Sequence, residues 1–175
     1  RRDPAAPAGI PGEYVMRPFD VKLSYLGKPW CTVPLEVGFD EIGDADQADV
    51  TSQTEASNAL ERLGFPAVGD VALMDLCYQV AQKLHGLTSG GDRVRDLVDL
   101  QLIAGNADVD LARTRQICVR LFAYRKAQAW PPEVISGKGW DELYAAQAEG
   151  LDVLHDLNGA LVWANELVAR IDSVR

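Results

Sequence analysis

The sequence has little cysteine and only two histidines. Its three cysteines, Cys31, Cys77 and Cys118, are far apart and form no C-x-x-C pair. An odd number of widely spaced thiols disfavours both a disulfide framework and a zinc site. We therefore expect the protein to work in a reducing compartment, the cytoplasm.

Long apolar runs and targeting signals are also absent. No stretch approaches the roughly 20 apolar residues that a membrane span needs, which excludes a transmembrane role. Residues 1–13, rich in Pro, Ala and Gly, have no apolar segment typical of a secretory signal and are predicted to be an extended lead-in. Because the chain does not begin with Met, we expect it to be a piece of a longer protein.

The composition is that of a soluble globular domain, with 47% hydrophobic and 25% charged residues in 175. The net charge is -9, but it is unevenly spread. Residues 36–75 contain ten acidic and one basic side chain, whereas residues 83–126 contain five acidic and eight basic ones. The locally basic segment could hold phosphates, although the field of the whole chain does not attract nucleic acid strongly.

Two short strands are predicted near the start of the chain. Residues 20–26 and 30–38 place apolar side chains on alternate positions, and residues 27–29 between them favour a tight turn, so we predict a β-hairpin. Glu36 lies on the polar face of the second strand. Pro34 cannot donate to a ladder, which favours an edge strand or a bulge.

The rest of the chain is mostly helical by its apolar periodicity, so the predicted fold class is α+β: a small sheet followed by a helical bundle. Residues 40–54 are strongly acidic and predict a solvated loop. We divide the chain into a lead-in (1–13), a partial sheet region with the acidic loop (14–70) and a helical domain (71–175). Helices are predicted at residues 55–63, 75–87, 93–105, 110–127, 139–149 and 152–173.

Charged side chains at unusual positions mark the second and third of these helices. Lys83 returns to the edge of an apolar stripe that begins at Leu76, so it either extends past the core to solvent or faces a cleft. On the next helix apolar residues point in nearly every direction, yet Asp96 and Asp99 lie among them. Since buried carboxylates need a cation, we expect ion pairs of Arg93 with Asp96 and of Arg95 with Asp99. Lys83 on the preceding helix is expected to join the same network.

Two interpretations of these charges remain open from the residues alone. In the first, Lys83, the arginines and the aspartates form a structural network that ties two helices together. In the second, they line a polar cleft whose cations hold a triphosphate while the aspartates orient them or bind magnesium.

The run LCYQVAQKLHGLTSGGDRVRDLVDLQLI, residues 76–103, adds a resemblance. Its K-L-H-x-L-T segment, short Gly-rich loop and R-x-R-D-x-x-D segment resemble the AbiEii/AbiGii nucleotidyltransferase toxins of type IV toxin–antitoxin systems. The resemblance extends over about residues 15–175. It implies a catalytic domain of the DNA polymerase β-like nucleotidyltransferase superfamily, which transfers a nucleotide from an NTP to an acceptor.

The resemblance also implies roles for single residues. Lys83 would contact the nucleotide phosphates, with Arg93 and Arg95 as further nucleotide-binding residues. Asp96 and Asp99 would be catalytic, as metal-organising or acid–base groups. Glu36 is a candidate metal ligand.

The same resemblance implies Mg²⁺ as cofactor, NTP as substrate, the 3′ end of tRNA as a possible acceptor, a cognate antitoxin as partner, and a role in growth arrest or phage defence.

One part of the superfamily pattern is missing. Its D-x-D, which follows a Gly-rich helix start and lies on a strand, supplies the carboxylates of the two-metal mechanism. Asp44-Ala45-Asp46 and Asp108-Val109-Asp110 have the spacing without that context, so we predict loop or capping residues. We therefore expect the chain to be the C-terminal part of such an enzyme and to be inactive by itself. The alternative is a degenerate or excised module that binds a partner such as the antitoxin.

Overall fold

The computed structural model describes residues 17–38, 40–43, 49–51, 54–67 and 69–174. The chain divides into two compact units, the first ending at Gly43 and the second beginning at Asp44. The predicted lead-in, residues 44–48 and 52–53 of the predicted acidic loop, and with them the Asp44-Ala45-Asp46 motif, lie outside the described residues. The domain boundaries drawn from the sequence stay predictions.

The first unit contains the predicted β-hairpin, which is confirmed. Strand β1 (Arg17–Tyr25) pairs antiparallel with β2 (Lys28–Val37), and Leu26 and Gly27 form the turn with φ of 49° and 74°. Positive φ at both central residues suits the right-handed twist of a hairpin. The turn therefore lies one residue earlier than the 27–29 predicted from the sequence.

Pro34 and Glu36 both lie on strand β2, at positions where neither disturbs the pairing with β1. Both strands of this sheet are edge strands among the described residues, so the missing N–H of Pro34 breaks no inner ladder. The one irregularity of the register falls between Leu23 and Ser24, away from Pro34. Glu36 is paired with Pro18 and is exposed.

The second unit begins with a small element that the sequence predicted only in part. Strand β3 (Asp49–Thr51) pairs antiparallel with β4 (Val71–Leu73), and helix α1 (Thr54–Arg62) lies between them in the chain. The helix was predicted, whereas the two strands were not. Three residues are too short for a recognisable alternation, and their pairing joins segments some 20 residues apart.

A bundle of five helices forms the rest of the second unit, and the α+β class is confirmed. The predicted and observed helix bounds agree closely except at the last one, which begins five residues late. The reason is Asp156, whose carboxylate accepts a hydrogen bond from the Gly159 N–H at 2.7 Å and so caps the helix there. The helices are α2 (Leu76–Thr88), α3 (Val94–Asn106), α4 (Leu111–Arg125), α5 (Trp140–Ala148) and α6 (Leu157–Ser173).

Helix α2 packs against α3 and α4, while α3 also contacts α5 and α6. The core is apolar, with Leu84, Leu97 and Leu121 fully buried. A buried polar group joins α3 to α5: Gln101 donates from Nε2 to the Tyr144 hydroxyl at 2.9 Å. This fixes the orientation of α3, the helix that carries the two aspartates.

Candidate functional site

Helix α2 presents Lys83 at the margin of the core. Asp75 caps the helix by accepting a hydrogen bond from the Tyr78 N–H, and one face of the helix is buried against its neighbours. Lys83 lies beside that face with its side chain 23% exposed. The sequence prediction that this lysine returns to the edge of the apolar stripe is confirmed.

Two carboxylates of α3 meet the Lys83 ammonium. Nζ lies 2.6 Å from Oδ2 of Asp99 and 3.4 Å from Oδ1 of Asp96. Asp96 is the deeper of the two, at 15% exposed against 29% for Asp99. At 2.6 Å the contact with Asp99 is a short, charge-assisted hydrogen bond, the stronger of the two contacts.

The two arginines of the motif differ in their surroundings. Nε of Arg93 lies 3.8 Å from Oδ2 of Asp96, so this predicted pair is formed, although the guanidinium is 59% exposed. Arg95 is exposed and makes no ion pair within the described part of the chain. The predicted pair of Arg95 with Asp99 is therefore wrong, because Asp99 pairs with Lys83 across the two helices instead.

The cluster lines an open cavity of about 390 Å³. Lys83, Arg93 and Asp96 contribute to its wall, as do three residues that the sequence did not single out: Met74, Gln79 and Gln82. The spacing of Gln79, Gln82 and Lys83 at i, i+3 and i+4 puts them on one helix face and could have indicated this. The structural network and the polar cleft thus coexist, because the same ions bridge the helices and border a cavity.

The described residues do not supply a metal site. No group of three His, Cys, Asp or Glu side chains in that part of the chain could hold a metal ion. Asp96 and Asp99 already face the Lys83 ammonium and, at Asp96, the Arg93 guanidinium, so a divalent cation would have to compete with these cations for two carboxylates. The metal role suggested for Glu36 stays a prediction.

Asp110, in the second D-x-D spacing of the sequence, is a cap. Its carboxylate accepts a hydrogen bond from the Arg113 N–H at 3.0 Å at the start of α4, as predicted. On the same helix, Arg113 pairs with Asp75 at 3.3 Å and Arg115 with Asp172 at 3.4 Å. These two basic side chains of α4 are thus paired with carboxylates from other segments of the chain.

The surroundings of His85 are those of a structural residue. It is 6% exposed, lies edge-to-face against Phe122 at 4.9 Å between ring centroids, and has Nδ1 3.2 Å from Nη1 of Arg125. Since the guanidinium can only donate, Nδ1 accepts and the ring is neutral. Burial lowers the pKa of His85 from 6.5 to about 4, with smaller contributions from the charges of Arg125 and Arg93.

Gln128, in the connection after α4, is a structural residue that the sequence analysis did not identify. Its Nε2 donates to the Thr88 hydroxyl at 2.8 Å and to the His85 carbonyl at 3.0 Å, so it ties this connection to the end of α2. A single glutamine in a loop gives no sequence signal, because its partners lie about 40 residues away.

A comparison with models of protein families gives a match over most of the chain. The family model described as "Nucleotidyl transferase AbiEii toxin, Type IV TA system" matches residues 3–168. A search of curated proteins found no match. None of the described helices has the length and apolar character that crossing a membrane requires.

Proposed function

The chain belongs to the AbiEii family of nucleotidyl transferase toxins of type IV toxin–antitoxin systems, and from this premise we propose that its Lys83 cavity binds the phosphates of an NTP. The family implies an NTP as substrate and a cognate antitoxin. The single observation that carries the proposal is a lysine ammonium at the wall of an open polar cavity, with a half-exposed guanidinium beside it.

The cations of the cavity suit a polyphosphate. The Lys83 ammonium is a compact charge with three donors, which a triphosphate can share with the carboxylates that hold it now. Arg93 is 59% exposed and held only by a 3.8 Å contact, so its guanidinium is able to turn toward a phosphate. Binding would thus exchange the Lys83–Asp99 hydrogen bond for contacts with phosphate oxygens.

The residues of the cluster then have separate roles in nucleotidyl transfer. In this reaction an acceptor oxygen attacks the α-phosphorus, the bond to the leaving pyrophosphate breaks, and negative charge develops on the pyrophosphate. Lys83 and Arg93 stabilise that charge. Asp99, once released from Lys83, is free to take the proton of the acceptor hydroxyl, while Asp96 keeps Lys83 in place.

Magnesium enters this proposal only with the nucleotide, whose phosphate charge it would partly neutralise. The described residues contain no metal-binding cluster, so no step is assigned to a metal held by them. Transfer to the 3′ end of tRNA, growth arrest, phage defence and a cytoplasmic location are further parts of the proposal, supported by the family alone.

Calorimetric titration of the chain with each of the four NTPs, in the presence of Mg²⁺, tests the proposal. We expect saturable binding to one site by at least one NTP. Absence of binding by all four would overturn the proposal and favour the alternative, an inactive module for protein binding.

A further inference from the structure

Gly86, three residues from Lys83 on α2, has no conformational need to be glycine. It lies inside the helix, is buried, and does not have the positive φ that favours glycine elsewhere in the chain. Alanine would stabilise a helix at such a position relative to glycine, because it loses less backbone entropy on folding. A steric reason is therefore required for the absence of a side chain.

That reason is the carboxylate of Asp96. A Cβ atom on Gly86 would lie 2.8 Å from Oδ2 of Asp96 and 3.4 Å from Nε of Arg93. The first distance is shorter than real Cβ contacts, so either the helices separate or the carboxylate moves. Because the atom it meets is the end of a rotatable side chain, movement of the carboxylate is the less costly change.

We propose that Gly86 is a positioning residue, which lets the Asp96 carboxylate lie against the backbone of α2 and thereby places Lys83 at the cavity. The two oxygens of Asp96 are used differently: Oδ1 faces Lys83 at 3.4 Å, and Oδ2 lies over Gly86 and near Arg93. Turning the carboxylate away from Gly86 therefore disturbs both cations of the cavity at once. The inference rests on the proposed function for its consequence, the loss of nucleotide binding.

The chain offers a matched control in Gly105, near the end of α3. It is exposed, and a Cβ atom there would meet nothing within 4 Å. Gly105→Ala makes the same chemical change near a helix C-terminus without touching a carboxylate. Gly105→Ala therefore reports the effect of alanine in a helix without the contact, and the Asp96→Ala background isolates the contribution of Asp96.

The experiment combines thermal unfolding with titration of Mg²⁺-ATP and inorganic tripolyphosphate, for Gly86→Ala, Gly105→Ala, Asp96→Ala and the double variant Gly86→Ala/Asp96→Ala. We expect Gly105→Ala to bind like wild type and to melt about 2–4 °C higher, because alanine favours a helix over glycine. Gly86→Ala should bind both probes about tenfold more weakly, since it disturbs a charge-assisted contact. In the Asp96→Ala background the same change should raise the melting temperature and weaken binding no further.

The unfolding data decide the steric part of the proposal without any nucleotide. If Gly86→Ala fails to fold, rescue of folding by Asp96→Ala supports the proposal, and failure of that rescue overturns it. Wild-type binding by Gly86→Ala also overturns it. If wild type binds neither tripolyphosphate nor any of the four NTPs, the proposed function fails. Equal effects of Gly86→Ala on melting temperature with and without Asp96 would then overturn the positioning role separately.

Discussion

Lys83 and Asp99 are joined across two helices by a 2.6 Å hydrogen bond between Nζ and Oδ2. This bond occupies one donor of the ammonium. An anionic ligand of the cavity must therefore share the ammonium with Asp99 or replace Asp99 as its partner. The strength of the bond therefore opposes the affinity for the ligand.

Asp99→Asn is expected to increase the affinity for NTP while lowering stability. The amide no longer attracts Lys83 as a charge, so a phosphate meets less competition, and we expect several-fold tighter binding. Loss of the half-exposed pair should reduce the free energy of unfolding by about 1 kcal/mol. Calorimetric titration and urea unfolding check these two effects.

Asp96→Asn is the matched comparison, because Asp96 is buried more deeply and also faces Arg93. We expect it to weaken NTP binding instead of strengthening it. Equal effects of the two substitutions on affinity would contradict the separate roles given to the two aspartates.

Buried His85 should make stability fall as the pH falls below neutrality. In the folded state the pKa of His85 is about 4, whereas its ordinary value is 6.5. Between pH 4 and pH 6.5 the unfolded chain therefore binds more protons than the folded one. The stabilising contribution is complete above pH 6.5 and is lost as the pH falls through 4, by up to about 3 kcal/mol. Urea unfolding at pH 7 and pH 5 measures part of this loss.

His85→Phe should flatten that dependence, because phenylalanine has no proton to bind. Exposed His155 supplies the control, and His155→Gln is expected to leave the slope unchanged. A wild-type slope retained in His85→Phe would show that other groups cause the acid sensitivity.

Tyr144→Phe should destabilise the bundle by about 1–3 kcal/mol. The hydroxyl accepts from Gln101 Nε2 and donates to the Leu154 carbonyl. Its removal therefore takes one acceptor from the buried Gln101 amide and the donor from the Leu154 carbonyl. Tyr25→Phe, at an exposed position of the hairpin, should change the free energy of unfolding by less than about 0.5 kcal/mol. A similar small change for Tyr144→Phe would contradict the structural role of this network.

The sequence predicted the parts of the fold that depend on local periodicity. The hairpin and all six described helices follow from apolar spacing and turn residues, and Asp110 was predicted to be a loop or capping residue from its context. The short strands β3 and β4 were missed, because they are stabilised by pairing between distant segments and not by their own three residues. The start of α6 was misplaced because the apolar pattern continues upstream of the Asp156 cap.

The candidate site shows the same division. Lys83, Asp96 and Arg93 were predicted from helical spacing and from the need of a buried carboxylate for a cation. The partner of Asp99 was predicted wrongly, since the spacing within one helix favours Arg95, whereas the packing of α2 on α3 brings Lys83 closer. The contact of Asp96 with Gly86 also arises only from that packing.

The most direct test of the account is the effect of Lys83→Ala on binding and on stability, measured on the same preparation and compared with Lys126→Ala. Lys126 is exposed at the end of α4 and does not line the Lys83 cavity. We predict that Lys83→Ala abolishes tripolyphosphate and NTP binding while the free energy of unfolding falls by about 1 kcal/mol, since the ions are partly solvated. Unchanged binding together with a loss of about 3–5 kcal/mol, the cost of breaking a buried pair, would show that the cluster is structural and contradict the account.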